Sequence, residues 1–249
     1  MNSKGNMYKK RKISWNPFVG CGFECCYCAF RTKLMRRKQA CMRCYHYKPH
    51  IHPERLTHEY IKKLPKTKGD EFIWCCSSGD ISFIQKKWMD RILEIIETLS
   101  DKTFFFQTKN PKFYEDYEFS ENVILGITLE TDFIKGYQVI SLAPPPEKRA
   151  EVFKRNGHAR KAITIEPILW FNKTKLVSIC KEIGPEWVAV GYDSKANYLP
   201  EPPLSKTLEL ISELETFTRV ERKTLRESYF EIAPQLDPNQ LKITDYGGK

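Results

Sequence analysis

Cys21-Gly-Phe-Glu-Cys25-Cys26-Tyr27-Cys28 is the stretch on which the reading of this chain turns. Cys21, Cys25 and Cys28 fall into the spacing C-x3-C-x2-C, with an aromatic residue, Tyr27, before the last thiol. A structural zinc site or a closed iron–sulfur cluster takes four protein ligands, so a loop that offers three leaves one iron open to a small molecule. Zinc is the competing reading, because Cys26 or the later pair Cys41 and Cys44 stands close enough in sequence to supply a fourth ligand.

Outward from this loop, short β-like runs alternate with helical stretches, the pattern of a parallel α/β fold. Six strands are predicted: Lys12 to Pro17, Glu71 to Cys76, Thr103 to Gln107, Val123 to Leu129, Lys161 to Ile165 and Trp187 to Gly191. The apolar continuity of the second, fourth and sixth suits strands buried on both faces. Between them Trp88, Ile92, Ile95, Ile96 and Leu99 share one helical face, as do Leu176, Ile179, Cys180 and Ile183, and Leu204, Leu208 and Ile211. Pro144 to Pro146 lead into a helix, since proline fits a first turn. Cys75 and Cys76 lie within one strand, so their side chains are expected on opposite faces as small apolar fillers. Cys180 reads as a core thiol.

The cysteine loop followed by six β/α units resembles the radical S-adenosylmethionine (SAM) superfamily over roughly residues 12–215. The resemblance implies a partial (β/α)6 barrel and a 4Fe–4S cluster on Cys21, Cys25 and Cys28. SAM would chelate the open iron and be cleaved reductively to a radical that abstracts hydrogen from a substrate. Chemistry in such barrels gathers at the C-terminal strand ends. There the chain places Ser78-Gly79-Asp80, Lys109, Thr128, Glu130, Glu166 and Asp193. The resemblance makes Ser78, Gly79 and Asp80 the counterpart of a Gly-Gly-Glu segment that receives the SAM amino group. Lys109 is expected to face the SAM carboxylate and Thr128 and Glu130 the ribose, with Tyr27 and Glu166 completing the cofactor-binding set. Taken alone, Asp80 is equally the N-cap of an ordinary strand-to-helix turn.

Trp15-Asn-Pro17, Gly126-Ile-Thr-Leu-Glu130-Thr, Ile165-Glu166-Pro167 and Val190-Gly-Tyr-Asp193 together resemble a narrower phage and prokaryotic three-Cys-motif family, regarded as radical-SAM-like. The chain departs from it at Tyr192-Asp193, where a Gly-Glu pair is usual. That resemblance implies an electron donor and allows a three-Cys-motif partner protein, and it names no substrate.

After the cluster loop, residues 29–58 form a basic insertion carrying Cys41-Met-Arg-Cys44 with His46, His50 and His52 close behind. The C-x2-C spacing is that of a zinc knuckle, with Cys41, Cys44 and His50 as the leading ligands. An auxiliary iron–sulfur cluster is the second choice, and free thiols beside solvent-facing histidines the third.

Composition bounds the rest. A chain of 249 residues fits one α/β domain spanning 1–249, with residues 219–249 as a C-terminal extension contributing a last strand and a cover, and Tyr246 to Lys249 frayed. Nine clustered cysteines, no apolar leader and no run long enough for a bilayer point to a reducing cytoplasm. The formal charge of +10 is concentrated: residues 1–56 hold 13 Lys and Arg against Glu24 and Glu54, whereas the remainder carries 28 basic and 29 acidic side chains. Such a surface favours nucleic acid or another polyanion as substrate. The alternative to an enzyme is a nucleic-acid-binding module whose zinc or iron–sulfur site is structural.

Overall fold

A computed structural model describes residues 8–31, 37–133 and 135–232. The first strand, β1 (Arg11–Trp15), leads through the two-residue β2 (Phe18–Val19) into the cysteine loop. The insertion then forms α1 (Met42–Tyr45), β3 (His50–Ile51) and α2 (His58–Ile61). Alternation follows as β4 (Phe72–Cys75), α3 (Lys86–Glu97), β5 (Phe104–Thr108), β6 (Val123–Thr128), α4 (Pro146–Arg155), β7 (Lys161–Ile165), α5 (Lys173–Ile183), β8 (Trp187–Val190), α6 (Leu204–Leu214), β9 (Arg219–Arg222) and α7 (Tyr229–Ile232). The large sheet is parallel throughout, in the order β1-β4-β5-β6-β7-β8-β9. It curls into a partial barrel, while β2 and β3 pair antiparallel beside it.

Strand alternation sends each sheet face to a different core. Ile73, Phe104, Phe106, Leu125, Ile127, Ile163, Val188 and Val190 meet the helices in the main core, against Met89, Ile92 and Ile96 of α3 and Leu176 and Cys180 of α5. The opposite residues, Phe72, Trp74, Phe105, Ile124, Ala162, Trp187 and Ala189, pack together inside the curl around Tyr8. Tyr8 is fully buried and its ring makes edge contacts with Phe72, Trp74, Phe105 and Trp187. Gly126 is glycine because a Cβ there would stand 2.4 Å from the Phe105 ring. Higher up the same face the residues turn polar: the Tyr8 hydroxyl lies 2.7 Å from both Gln107 Oε1 and Thr164 Oγ1, and Gln107 donates to Thr128 Oγ1 at 2.9 Å. The interior is therefore a hydrophobic plug below and a polar mouth at the C-terminal strand ends.

All six predicted strands are present, with ends shifted by a residue or two, and β4, β6 and β8 are buried along their whole length. Arg219–Arg222 adds a seventh parallel strand, in register with β8. Pro146 does open α4. Two expectations fail. Leu208 is 42% exposed, because α6 turns Thr207, Leu210, Ile211 and Leu214 inward instead. Cys75 and Cys76 do not point apart: β4 ends at Cys75, Cys76 takes a left-handed φ of 59°, and the sulfurs meet at 3.6 Å. Both are nonetheless buried in the main core. Residues 233–249, including the expected frayed end, and Lys33 and Arg36 of the basic insertion lie outside the described residues.

Candidate active site

The mouth of the barrel holds a cavity of about 240 Å³. Its wall includes Cys21, Cys25 and Cys28, all three thiols of the predicted motif, together with Tyr27, Gly79, Asp80, Lys109, Thr128 and Glu166. Among the described residues neither Cys26 nor any histidine lines it.

Main-chain bonds fix the loop that carries the thiols. Gly20 and Gly79 form an isolated parallel bridge, with Gly20 N donating to Ser78 O and Asp80 N to Gly20 O, both at 3.1 Å. A Cβ on Gly79 would stand 2.5 Å from Gly20 O, so glycine is required for two backbones to approach each other. On the far side Cys26 N donates to Ile140 O at 2.9 Å and Leu142 N to Phe23 O at 2.8 Å. The Cys25 thiol lies 3.1 Å from the Ser141 hydroxyl, and Tyr47 O–H meets the Cys28 thiol.

The strand-end acids play different parts. Asp80 caps the following turn: its Oδ1 accepts from Ser82 N (3.1 Å), Ser82 Oγ (2.8 Å) and Thr108 Oγ1 (2.6 Å), and its Oδ2 from Lys109 N (2.8 Å). Glu130 is fully buried and stands behind the cavity wall. Its carboxylate takes Arg149 Nη1 at 2.8 Å, Lys109 Nζ at 3.3 Å, Tyr137 O–H at 3.0 Å and the Tyr27 hydroxyl. Burial alone would push this carboxyl up, but Arg149 and then Lys109 outweigh it and hold it well below the usual range. Asp193, also in the wall, is satisfied by Lys195 N and by the backbone and side chain of Asn197.

Glu166 is the exception. Its Oε2 is out of contact with solvent and has no hydrogen-bond partner among the described residues. Burial pushes the Glu166 carboxyl up to about 7, Lys223 only partly opposing it. Lys109 keeps its charge: burial disfavours the ammonium, but Glu130 and Cys25 raise it, and it sits 5.5 Å from the centre of the Tyr27 ring.

Whether an iron–sulfur cluster fits is decided by the donors. Burial pushes both the Cys21 and the Cys25 thiols up, with Asp80 adding to the effect at Cys21 and Lys109 opposing it at Cys25. Thiols so placed ionise only beside a cationic centre, and all three cysteines line the same cavity. The donor set fits a cluster with three protein ligands.

Cys41, Cys44, His50 and His52 come together outside the barrel, their ligand atoms all within 4.8 Å of one another. His46, equally close in sequence, is not among them. Sequence reasoning singled out neither Arg149, the buried counter-charge of Glu130, nor Tyr8, the plug. The one local signal for Tyr8 is an aromatic residue standing just before a basic run.

Fold and site together define a partial barrel with a three-thiol mouth. Residues 8–200 match the family described as protein of unknown function (DUF5131), and the chain belongs to that family. No curated protein matches it in sequence. Among solved structures it resembles Streptococcus suis SuiB bound to precursor peptide SuiA, with a TM-score of 0.59 at 13% identity over 94% of this chain and 53% of SuiB. A spore photoproduct lyase variant with bound AdoMet and dinucleoside spore photoproduct is similar at a TM-score of 0.51 and 12% identity, over 84% of this chain and 62% of the lyase. The chain thus spans about half of one and under two thirds of the other, and what it shares with them is the fold.

Proposed function

We propose that this chain is a radical SAM enzyme, with Cys21, Cys25 and Cys28 as the three protein ligands of a 4Fe–4S cluster. The observation that carries the reading is the meeting of three thiols, with no fourth thiol or imidazole among the described lining residues, in a cavity at the mouth of a partial barrel. When bound, such a cluster supplies reductive cleavage of SAM and the hydrogen abstraction that follows.

The chain's own residues prepare the site. Glu130 ties down Tyr27 and draws the Lys109 ammonium to the cavity wall, where it suits the SAM carboxylate. The four hydrogen bonds on Asp80 shape the Ser78–Asp80 turn, so its role is to hold that backbone at the wall. Glu166 keeps an oxygen for an incoming N–H or O–H donor, such as the SAM amino group or a ribose hydroxyl.

For the substrate, the charge of residues 1–56 favours a phosphate-bearing molecule, including nucleic acid, over a neutral peptide. An electron donor is required, and the three-Cys-motif resemblance makes a protein partner part of the proposal. Nine cysteines, most of them clustered in short-spaced groups, suit a reducing cytoplasmic setting, and no helix among the described residues is long and apolar enough to cross a membrane.

The same charge favours one second reading, a metal-stabilised nucleic-acid-binding module. One experiment separates the two: anaerobically reconstituted protein is given SAM and dithionite, and methionine and 5′-deoxyadenosine are measured. The enzyme reading requires both products and their loss in Cys28→Ala. Salt-dependent oligonucleotide binding with no SAM cleavage would establish the module instead.

A further inference from the structure

We infer that Cys41, Cys44, His50 and His52 form a closed zinc site that fastens the cluster loop to the outside of the barrel. Cys41 is the N-cap of α1, and its sulfur accepts from Cys44 N at 3.4 Å, so the knuckle is already formed. The His50 Nε2 lies 3.5 Å from Cys41 Sγ and 3.4 Å from Cys44 Sγ, and the His52 Nε2 lies 3.2 Å from Cys44 Sγ. A tetrahedral zinc with Zn–S and Zn–N bonds of roughly 2.3 and 2.0 Å has sulfur–nitrogen edges of about 3.5 Å, close to these three contacts.

The outer contacts point the same way. His50 Nδ1 lies 2.7 Å from Lys48 O, and His52 Nδ1 2.8 Å from Glu54 Oε1. Oxygen acceptors there fix the proton on Nδ1 of each ring and aim the lone pair of each Nε2 at the thiols, as at metal-bound histidines. The spacing also decides between one ion and a two-iron cluster. Two bridged irons would set the thiol pair and the imidazole pair on opposite sides of a rhomb, farther apart than these contacts. With four protein donors no position is left for a substrate, so the ion is structural.

Its place in the fold gives the role. Val19 pairs with His50 across β2 and β3, and His52 N, just past β3, donates to Pro17 O at 2.6 Å, so both histidines stand beside the chain that enters the cluster loop. Cys21 N donates to Tyr47 O at 3.4 Å. A Cβ on Gly20 would stand 2.4 Å from the Lys48 carbonyl carbon, so the two backbones are in direct contact. Val19, Cys44 and Tyr47 form a small core of their own, with Cys21, Cys28, Phe30 and Cys41 against it. A four-residue helix and a two-residue strand bury too little apolar surface to hold this geometry unaided, and a metal ion makes up the difference.

The site is tested in full-length protein carrying Cys21→Ala, Cys25→Ala and Cys28→Ala, which removes any cluster and keeps the result independent of the enzyme reading. Elemental analysis is expected to find about one zinc per chain, with two sulfurs and two nitrogens in its X-ray absorption spectrum, and Cys44→Ser or His52→Ala added to this background is expected to lose the metal. Absence of zinc, iron in its place, a sulfur-only shell, or retention of zinc in both added variants overturns the site. The fastening role is read in cluster-free wild-type protein by mass spectrometry of iodoacetamide labelling. Stripping zinc is expected to speed labelling of Cys21, Cys25 and Cys28 about tenfold while Cys75 and Cys180 stay protected; unchanged rates at the three thiols overturn that role.

Discussion

Two cysteine clusters sit back to back in this protein and are built for opposite ends. The knuckle gathers four donors within 4.8 Å and orients its imidazoles through Lys48 O and Glu54. The cluster loop spreads three thiols around a cavity of about 240 Å³, with Lys109 and Glu166 in the same wall. Metal chemistry distinguishes the two by counting donors: four make a clamp, and three make a site where something else binds. The clamp and the Glu130 network hold the open loop from two sides, through Tyr47 and through Tyr27. A reactive loop kept open to ligand needs such external fastening, since it cannot close on itself.

Removing one thiol from the open cluster is the sharpest way to break the comparison. Cys28→Ala is expected to lower SAM cleavage by at least about a thousandfold while the zinc of the knuckle stays at one per chain, measured by product analysis beside metal content. Loss of both metals together would mean that the two clusters are one structural unit.

Next in size is the inner fastening. Glu130→Gln leaves the fully buried Arg149 and the Lys109 ammonium without their counter-charge, and urea unfolding is expected to show a loss of about 3–5 kcal/mol. Glu130→Leu with Arg149→Met, which removes the charge on both partners, is expected to recover part of it. A Glu130→Gln loss below about 1 kcal/mol would show that the network does not hold the mouth together.

Glu166 gives a smaller effect with a distinctive pH dependence. Its folded pKa, about 7, stands above the ordinary 4.5. Between these values the unfolded chain has released the proton and the folded one still holds it, so stability falls as pH rises through this window and the full penalty is present above about 7. Glu166→Gln is expected to be more stable than wild type by on the order of 2 kcal/mol at pH 8, and equal to it near pH 4. Thermal melts at the two pH values check this, and an equal difference at both would rule out the buried acid as its cause. Smallest is Tyr8→Phe, which removes a hydroxyl placed between Gln107 and Thr164 and is expected to cost about 1–2 kcal/mol in the same unfolding assay.

What the sequence showed follows the range of each interaction. The strand rhythm is local, and its six strands are present with only small shifts at their ends; the three-thiol motif is local as well. The C-x2-C knuckle was equally local, but choosing among three histidines needed its geometry. His50 and His52, two apart in the chain, both join the donor group, whereas His46 caps α1 before the left-handed Tyr47 at φ 53° and is not in the group. The partners of Tyr8 lie 99 and 156 residues away, and Arg149 reaches Glu130, just past the end of β6, from α4, so neither is visible in a pattern of nearest neighbours. Cys75 and Cys76 depart from alternation for a local reason: β4 ends at Cys75, and Cys76 lies one residue past it at a left-handed φ of 59°.

The central claim is the difference in donor count, and one measurement tests it most directly. Anaerobically reconstituted wild-type protein is assayed for iron, sulfide and zinc, with electron paramagnetic resonance of the reduced form before and after adding SAM. The account predicts about four irons and one zinc per chain and a signal that changes with SAM. Zinc in both cysteine clusters without iron, or an iron signal indifferent to SAM, would contradict it.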